Sequence, residues 1–139
     1  MENVTVEMIK ALKSKRSFSE YVEMNPAYMD CKLHEVLTLL LEEKQLEKAA
    51  VIKDSGLDRH YGYQIFSGTK NPSKDKLLAI AIGMKLSYEE TQNLLKVANL
   101  PELYAKRHRD SMIIFSLHNQ MGILETNELL FEMGEKIIE

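Results

Sequence analysis

At 139 residues with a single cysteine, Cys31, the chain has the length of one domain, able to bury about 68–70% of its unfolded surface without disulfides or metals. No apolar run follows a basic N-terminal start, so the expectation is a cytoplasmic, soluble chain, neither secreted nor membrane-spanning. The net charge of −3 argues against a uniformly nucleic-acid-binding surface, but residues 1–31 sum to −1, 32–100 to +1 and 101–139 to −3, which leaves room for a local cationic face.

In chain order the pattern is helical throughout, and the fold class expected is all-α. Ser17-x-x-Glu20 has the form of a capping box for a short helix ended by Asn25-Pro26, within an N-terminal helical arm, 1–31. KLHEVLTLLLEEK spaces Leu33, Val36, Leu37, Leu40 and Leu41 as one apolar stripe, which predicts the first helix of the main domain. A second helix is expected over 46–55, closed by Gly56, where a left-handed residue costs least. Asp58 caps a third over 59–67, ended by Gly68. Ser73 caps a fourth, with Leu77, Leu78, Ile80 and Ala81 inward, ending near Gly83. Ser87-x-x-Glu90 is another capping box and opens a fifth helix through Ala98, stopped by Pro101. Two more helices are expected over 103–119, with Ile113, Ile114 and Leu117 apolar, and over 124–136, with Leu129, Leu130 and Met133 apolar. The domains are then 1–31, 32–100 and a C-terminal extension, 101–139, packed on the second.

Chemistry-bearing constellations are sparse. Cys31-x-x-His34 has metal-ligand spacing but no second ligand pair, so no metal is expected. No Gly-rich phosphate loop, HExxH helix or nucleophile with a partner occurs, so neither catalytic residues nor a cofactor are expected. Arg109-Asp110 reads as a cap and surface pair at the sixth helix. What stands out is GLDRHYGYQIFSGTKNPSKDK, residues 56–76, where Arg59, Lys70, Lys74 and Lys76 outnumber Asp58 and Asp75.

The second helix, the turn Gly56-Leu57-Asp58 and the third helix form a helix-turn-helix pattern. The Gly56–Gly68 spacing, apolar Leu57 and Ile65, and SGTKNPS, similar to an Asn-Gly-x-x-x-Pro-Ser segment, together resemble the lambda-repressor/Cro-like (XRE) family of bacterial and phage DNA-binding domains over about residues 32–100. RDSMIIFSLHNQ and TNELLFEMG resemble a C-terminal helical extension of such regulators, which brings nearly the whole chain into the likeness. The chain departs from the family where Ala is usual four residues before the turn glycine and a branched residue six after it: here stand Ile52 and Gly62. These positions face each other, so the two exchanges are expected to offset each other in volume.

The resemblance implies a five-helix lambda-repressor-like core and a transcriptional regulator whose third helix enters the major groove of double-stranded DNA. Base-reading positions fall on Arg59, His60 and Gln64, flanked by Tyr61 and Tyr63: Arg forks onto guanine O6/N7 and Gln onto adenine N6/N7. Phosphate-gripping positions fall on Lys48, Ser67, Thr69, Lys70, Asn71 and Lys74. Phe66 belongs to the core. A homodimer through the fifth helix or the C-terminal pair is implied, since two-fold symmetry supplies half-site spacing. The alternative is an adaptor or antitoxin that keeps the fold and holds a protein partner on its acidic C-terminal helices.

Overall fold

The computed structural model describes residues 32–139; the expected first capping box, the Asn25-Pro26 stop and Cys31 lie outside them. The described residues form seven helices and no strand. In chain order they are α1 (Leu33–Lys44), α2 (Lys48–Ser55), α3 (Arg59–Ser67), α4 (Lys74–Gly83), α5 (Tyr88–Val97), α6 (His108–His118) and α7 (Ile123–Glu132). Among them no helix is long and apolar enough to cross a membrane.

The three helix starts expected from side-chain caps are built as read. Asp58 accepts from the Tyr61 amide at 3.0 Å, and Ser73 from the Lys76 amide at 3.3 Å. Ser87 and Glu90 exchange two bonds, Glu90 N–H to Ser87 Oγ at 3.1 Å and Ser87 N–H to Glu90 Oε1 at 2.9 Å, so two otherwise orphaned amides are satisfied at once. Glu90 also receives the Lys44 ammonium at 2.9 Å, tying the end of α1 to the start of α5.

Helix ends differ more from expectation. α1 stops because Gln45 turns left-handed (φ 54°) and the Leu46 amide reaches back to Leu41 O at 2.9 Å. This six-to-one bond closes a Schellman turn, so Leu46 lies in the turn and α2 begins only at Lys48. The same device recurs with Lys85, Asn99 and Gln120 in the left-handed position, the next amide bonding to Ala81 O, Leu95 O and Ser116 O. Gly83 therefore does not terminate α4 by a left-handed turn. It is the close-approach residue of the α2–α4 crossing, where an added Cβ would meet the buried Ser55 side chain and stand 2.8 Å from Val51 O.

The core runs through all seven helices. Val36, Leu37 and Leu40 of α1, Val51 and Ile52 of α2, Ile65 and Phe66 of α3, Leu77 to Ile82 of α4 and Leu94 and Leu95 of α5 are at most 2% exposed. Leu103, Met112, Ile113, Leu117, Leu130 and Ile138 belong to the same cluster, so residues 101–139 close the core from one side. α5 turns Thr91, Asn93, Leu94, Leu95 and Val97 inward.

Two expected helical stretches are instead straps held by side chains. Residues 103–107 lie outside α6: Gln92 accepts from Leu103 N–H at 2.8 Å and donates to Leu103 O at 2.9 Å, while Asp110 accepts from Tyr104 N–H at 2.9 Å. Past α7, Gly134 turns left-handed, and Asn127 clasps Ile138 by N–H and C=O at 2.8 and 3.0 Å. Buried backbone groups are thereby satisfied without continuing the helix. Met133, grouped with Leu129 and Leu130 as an apolar residue of the last expected helix, is 52% exposed and follows the last turn of α7.

Arg109 and Asp110 are not a cap and surface pair. Arg109 grips both carboxylate oxygens of Asp75, at 3.1 and 2.9 Å, and donates to Lys136 O and Ile137 O. Asp110 is buried. One guanidinium thus joins the start of α4, α6 and the C-terminal strap, using the planar fork that a lysine lacks.

Candidate nucleic-acid interface

The geometry of α3 begins with its inner face. Gly62, Ile65 and Phe66 are buried, and Gly62 rests on Ile52 so closely that a Cβ there would stand 2.6 Å from Ile52 Cγ2 and 3.0 Å from Cγ1. Ile52 is itself 2% exposed. The large residue on α2 therefore occupies the space beside Gly62 where a side chain on α3 would stand.

With that face fixed, His60, Gln64 and Ser67 fall at i, i+4 and i+7 on the opposite face of α3. His60 and Ser67 are exposed, Gln64 half-buried. Tyr61 and Tyr63 flank them, half-buried. Arg59 is exposed at the first turn, its guanidinium 5.8 Å from the Tyr63 ring centroid; the Lys76 ammonium lies 5.7 Å from that of Tyr61. Both distances suit cation–π contact, so each tyrosine carries a cation at the edge of this face.

The turn after α3 is stitched rather than loose. Gly68 adopts φ 84°, Gln64 O accepts from the Thr69 and Lys70 amides at 2.9 and 3.1 Å, and the Ser67 and Thr69 hydroxyls lie 2.8 Å apart. Ser67, Thr69, Lys70 and Asn71 are all exposed there. Lys48 stands exposed in the first turn of α2, which has no side-chain cap. Lys74 is placed differently: it donates to Glu102 O at 3.3 Å and lies 3.8 Å from Asp110 Oδ2, so its charge is partly matched inside the molecule.

Two side chains near this surface, Lys32 and His34, escape a sequence reading of it, and a third, Lys76, is visible there only as local positive charge. Lys76 sits in the first turn of α4, and only the fold brings it to Tyr61. Lys32 and His34 reach the turn from the start of α1: with Gly68, Lys70, Asn71 and Asn99 they line a groove of about 770 Å³. An added Cβ at Gly68 would stand 2.6 Å from His34 Nδ1, so glycine is required there both for its φ and for this contact. Among the described residues, no group of three or more His, Cys, Asp or Glu side chains is placed to hold a metal ion.

Chemically the surface offers a fork donor, an amide and an imidazole from one short helix, beside hydroxyls and an ammonium from a fixed turn. Comparison with protein-family models, with curated proteins and with solved structures gives no match to this chain.

Proposed function

We propose that this protein is a non-enzymatic, sequence-specific DNA-binding transcriptional regulator of the lambda-repressor/Cro-like (XRE) kind, which inserts α3 into the major groove as the second helix of a helix-turn-helix. The observation that carries the reading is the two-sidedness of α3. Its inner face is locked by the Gly62–Ile52 contact, and its outer face presents Arg59, His60 and Gln64 beside the stitched Ser67–Asn71 turn.

In this reading Arg59 and Gln64 contact base edges, His60 adds a donor or acceptor, and Tyr61 and Tyr63 pack on sugar or a thymine methyl. Ser67, Thr69, Lys70, Asn71 and Lys48 grip phosphates and set the register. Lys74 joins them only in part, because Asp110 and Glu102 already hold it. The few free cations make the affinity modest and strongly salt-dependent, each neutralised phosphate adding about −0.9 to the slope of log K against log salt.

Selection from a pool of randomised duplexes tests the proposal. Enrichment of one defined site by the full chain supports it. Recovery of no site at low salt, from folded protein, removes it.

A further inference from the structure

The large apolar side chains that stay exposed among the described residues are Tyr104, Phe115, Leu124, Phe131 and Met133, all within 101–139. Two of them define a face. Leu124 and Phe131 lie seven residues apart on α7 and are 78% and 77% exposed; Glu128 falls between them on the same stripe, with Glu125 and Glu132 alongside, all exposed. Thr126 and Leu130, both 0% exposed, anchor the opposite side of the helix, so this face is fixed outward. Between Arg109 and Lys136 the chain contains no lysine or arginine, while Asp110, Glu125, Glu128, Glu132 and Glu135 all fall there. An outward leucine and phenylalanine beside Glu125, Glu128 and Glu132 is an apolar patch with a mainly acidic rim, Lys53 and Lys85 reaching it at the Leu124 and Glu125 end.

Charge selects the occupant. A two-fold contact between copies sets the same patch against itself, which would bring Glu125, Glu128 and Glu132 of one copy against those of the other. Like charges so placed oppose association, and DNA is repelled for the same reason. We infer that α7 is the docking site for a basic amphipathic helix of a protein partner, whose aliphatic stripe covers Leu124 and Phe131 while its lysines or arginines pair with Glu125, Glu128 and Glu132. Apolar anchors repeating along a helix are how such segments recognise a surface. The inference does not depend on DNA contact by α3, which lies on other residues.

The test uses the isotopically labelled full chain and two synthetic amphipathic peptides of equal length, one of leucine and lysine, the other of leucine and glutamate. The lysine peptide is expected to bind at least about tenfold more tightly than the glutamate peptide, with amide shifts centred on residues 123–133 and weakening at raised salt. Phe131→Ser and Glu128→Lys alter exposed side chains, so the variants should melt like the parent, yet each should weaken the lysine peptide by about tenfold. Equal binding of both peptides, shifts centred away from α7, or variants that bind like the parent would overturn the inference. So would sedimentation showing a parent dimer that Phe131→Ser dissolves, since the occupant would then be a second copy.

Discussion

Exchanging the two residues at the α2–α3 contact, Ile52→Ala and Gly62→Val, tests the packing on which the α3 surface depends. The exchange nearly conserves volume, since one substitution removes as many carbons as the other adds. Alone, Ile52→Ala empties a site that is 2% exposed and should cost about 2–5 kcal/mol. Gly62→Val alone drives a side chain into Ile52, whose Cγ2, Cγ1 and Cδ1 would lie 2.6, 3.0 and 3.2 Å from the new Cβ. Overpacking of this kind costs about 1–3 kcal/mol or more, and the gain from replacing helical glycine offsets only part of it. The double variant conserves volume and should lose less than about 1.5 kcal/mol. Urea denaturation of the four proteins then gives a coupling energy near the top of the range of about 0.5–3 kcal/mol seen for touching residues. Simple additivity of the two losses would refute the claim that the residues compensate for each other.

Replacing Arg109 with Met leaves Asp75 and two backbone carbonyls without their donor; because the pair is about one-fifth exposed, a loss of about 1–3 kcal/mol is expected by urea denaturation. Glu43 is half-buried, its Oε2 buried without a partner, and this desolvation raises its pKa above the usual glutamate value, Lys44 lowering it and Glu90 adding to the rise. The folded state therefore keeps a proton that the unfolded chain releases, so stability falls as pH rises from the ordinary glutamate range through the raised folded value. Glu43→Gln should raise Tm at pH 7, with the difference shrinking as pH is lowered below that window. Gln45→Gly relieves a left-handed residue (φ 54°) at about 1–2 kcal/mol while adding about 0.4–1 of unfolded-state entropy, so a net gain of about 0.5–1 kcal/mol in denaturation is expected.

Local chemistry made some of this molecule readable in advance. Asp58, Ser73 and Ser87 cap helices through amides three residues on, and the period of α1 reports its buried face. Ile52 and Gly62 could be paired because both departures were visible against one pattern. Helix ends were poorly legible because Gln45, Lys85, Asn99 and Gln120 occupy left-handed positions where glycine is the usual signal. The straps at Leu103 and Ile138 looked helical because their backbone partners, Gln92 and Asn127, lie eleven residues away in sequence. Arg109 finds Asp75 across 34 residues. The α3 face followed from its burial pattern, whereas Lys32, His34 and Lys76 join it only through the approach of α1 and α4.

The proposal that α3 reads DNA is tested most directly by competition binding of Arg59→Ala, Gln64→Ala and Lys70→Ala on a randomised duplex library, at two salt concentrations. Arg59 and His60 are exposed and Gln64 is half-buried without supporting the core, so the Arg59 and Gln64 variants should fold within about 0.5 kcal/mol of the parent. Each should lose about 1–3 kcal/mol on the preferred site and relax the base choice at one position. Lys70→Ala should instead weaken all sequences alike and flatten the salt slope by roughly one unit. Arg59 and Gln64 variants that keep the parent's site preference unchanged would contradict the account.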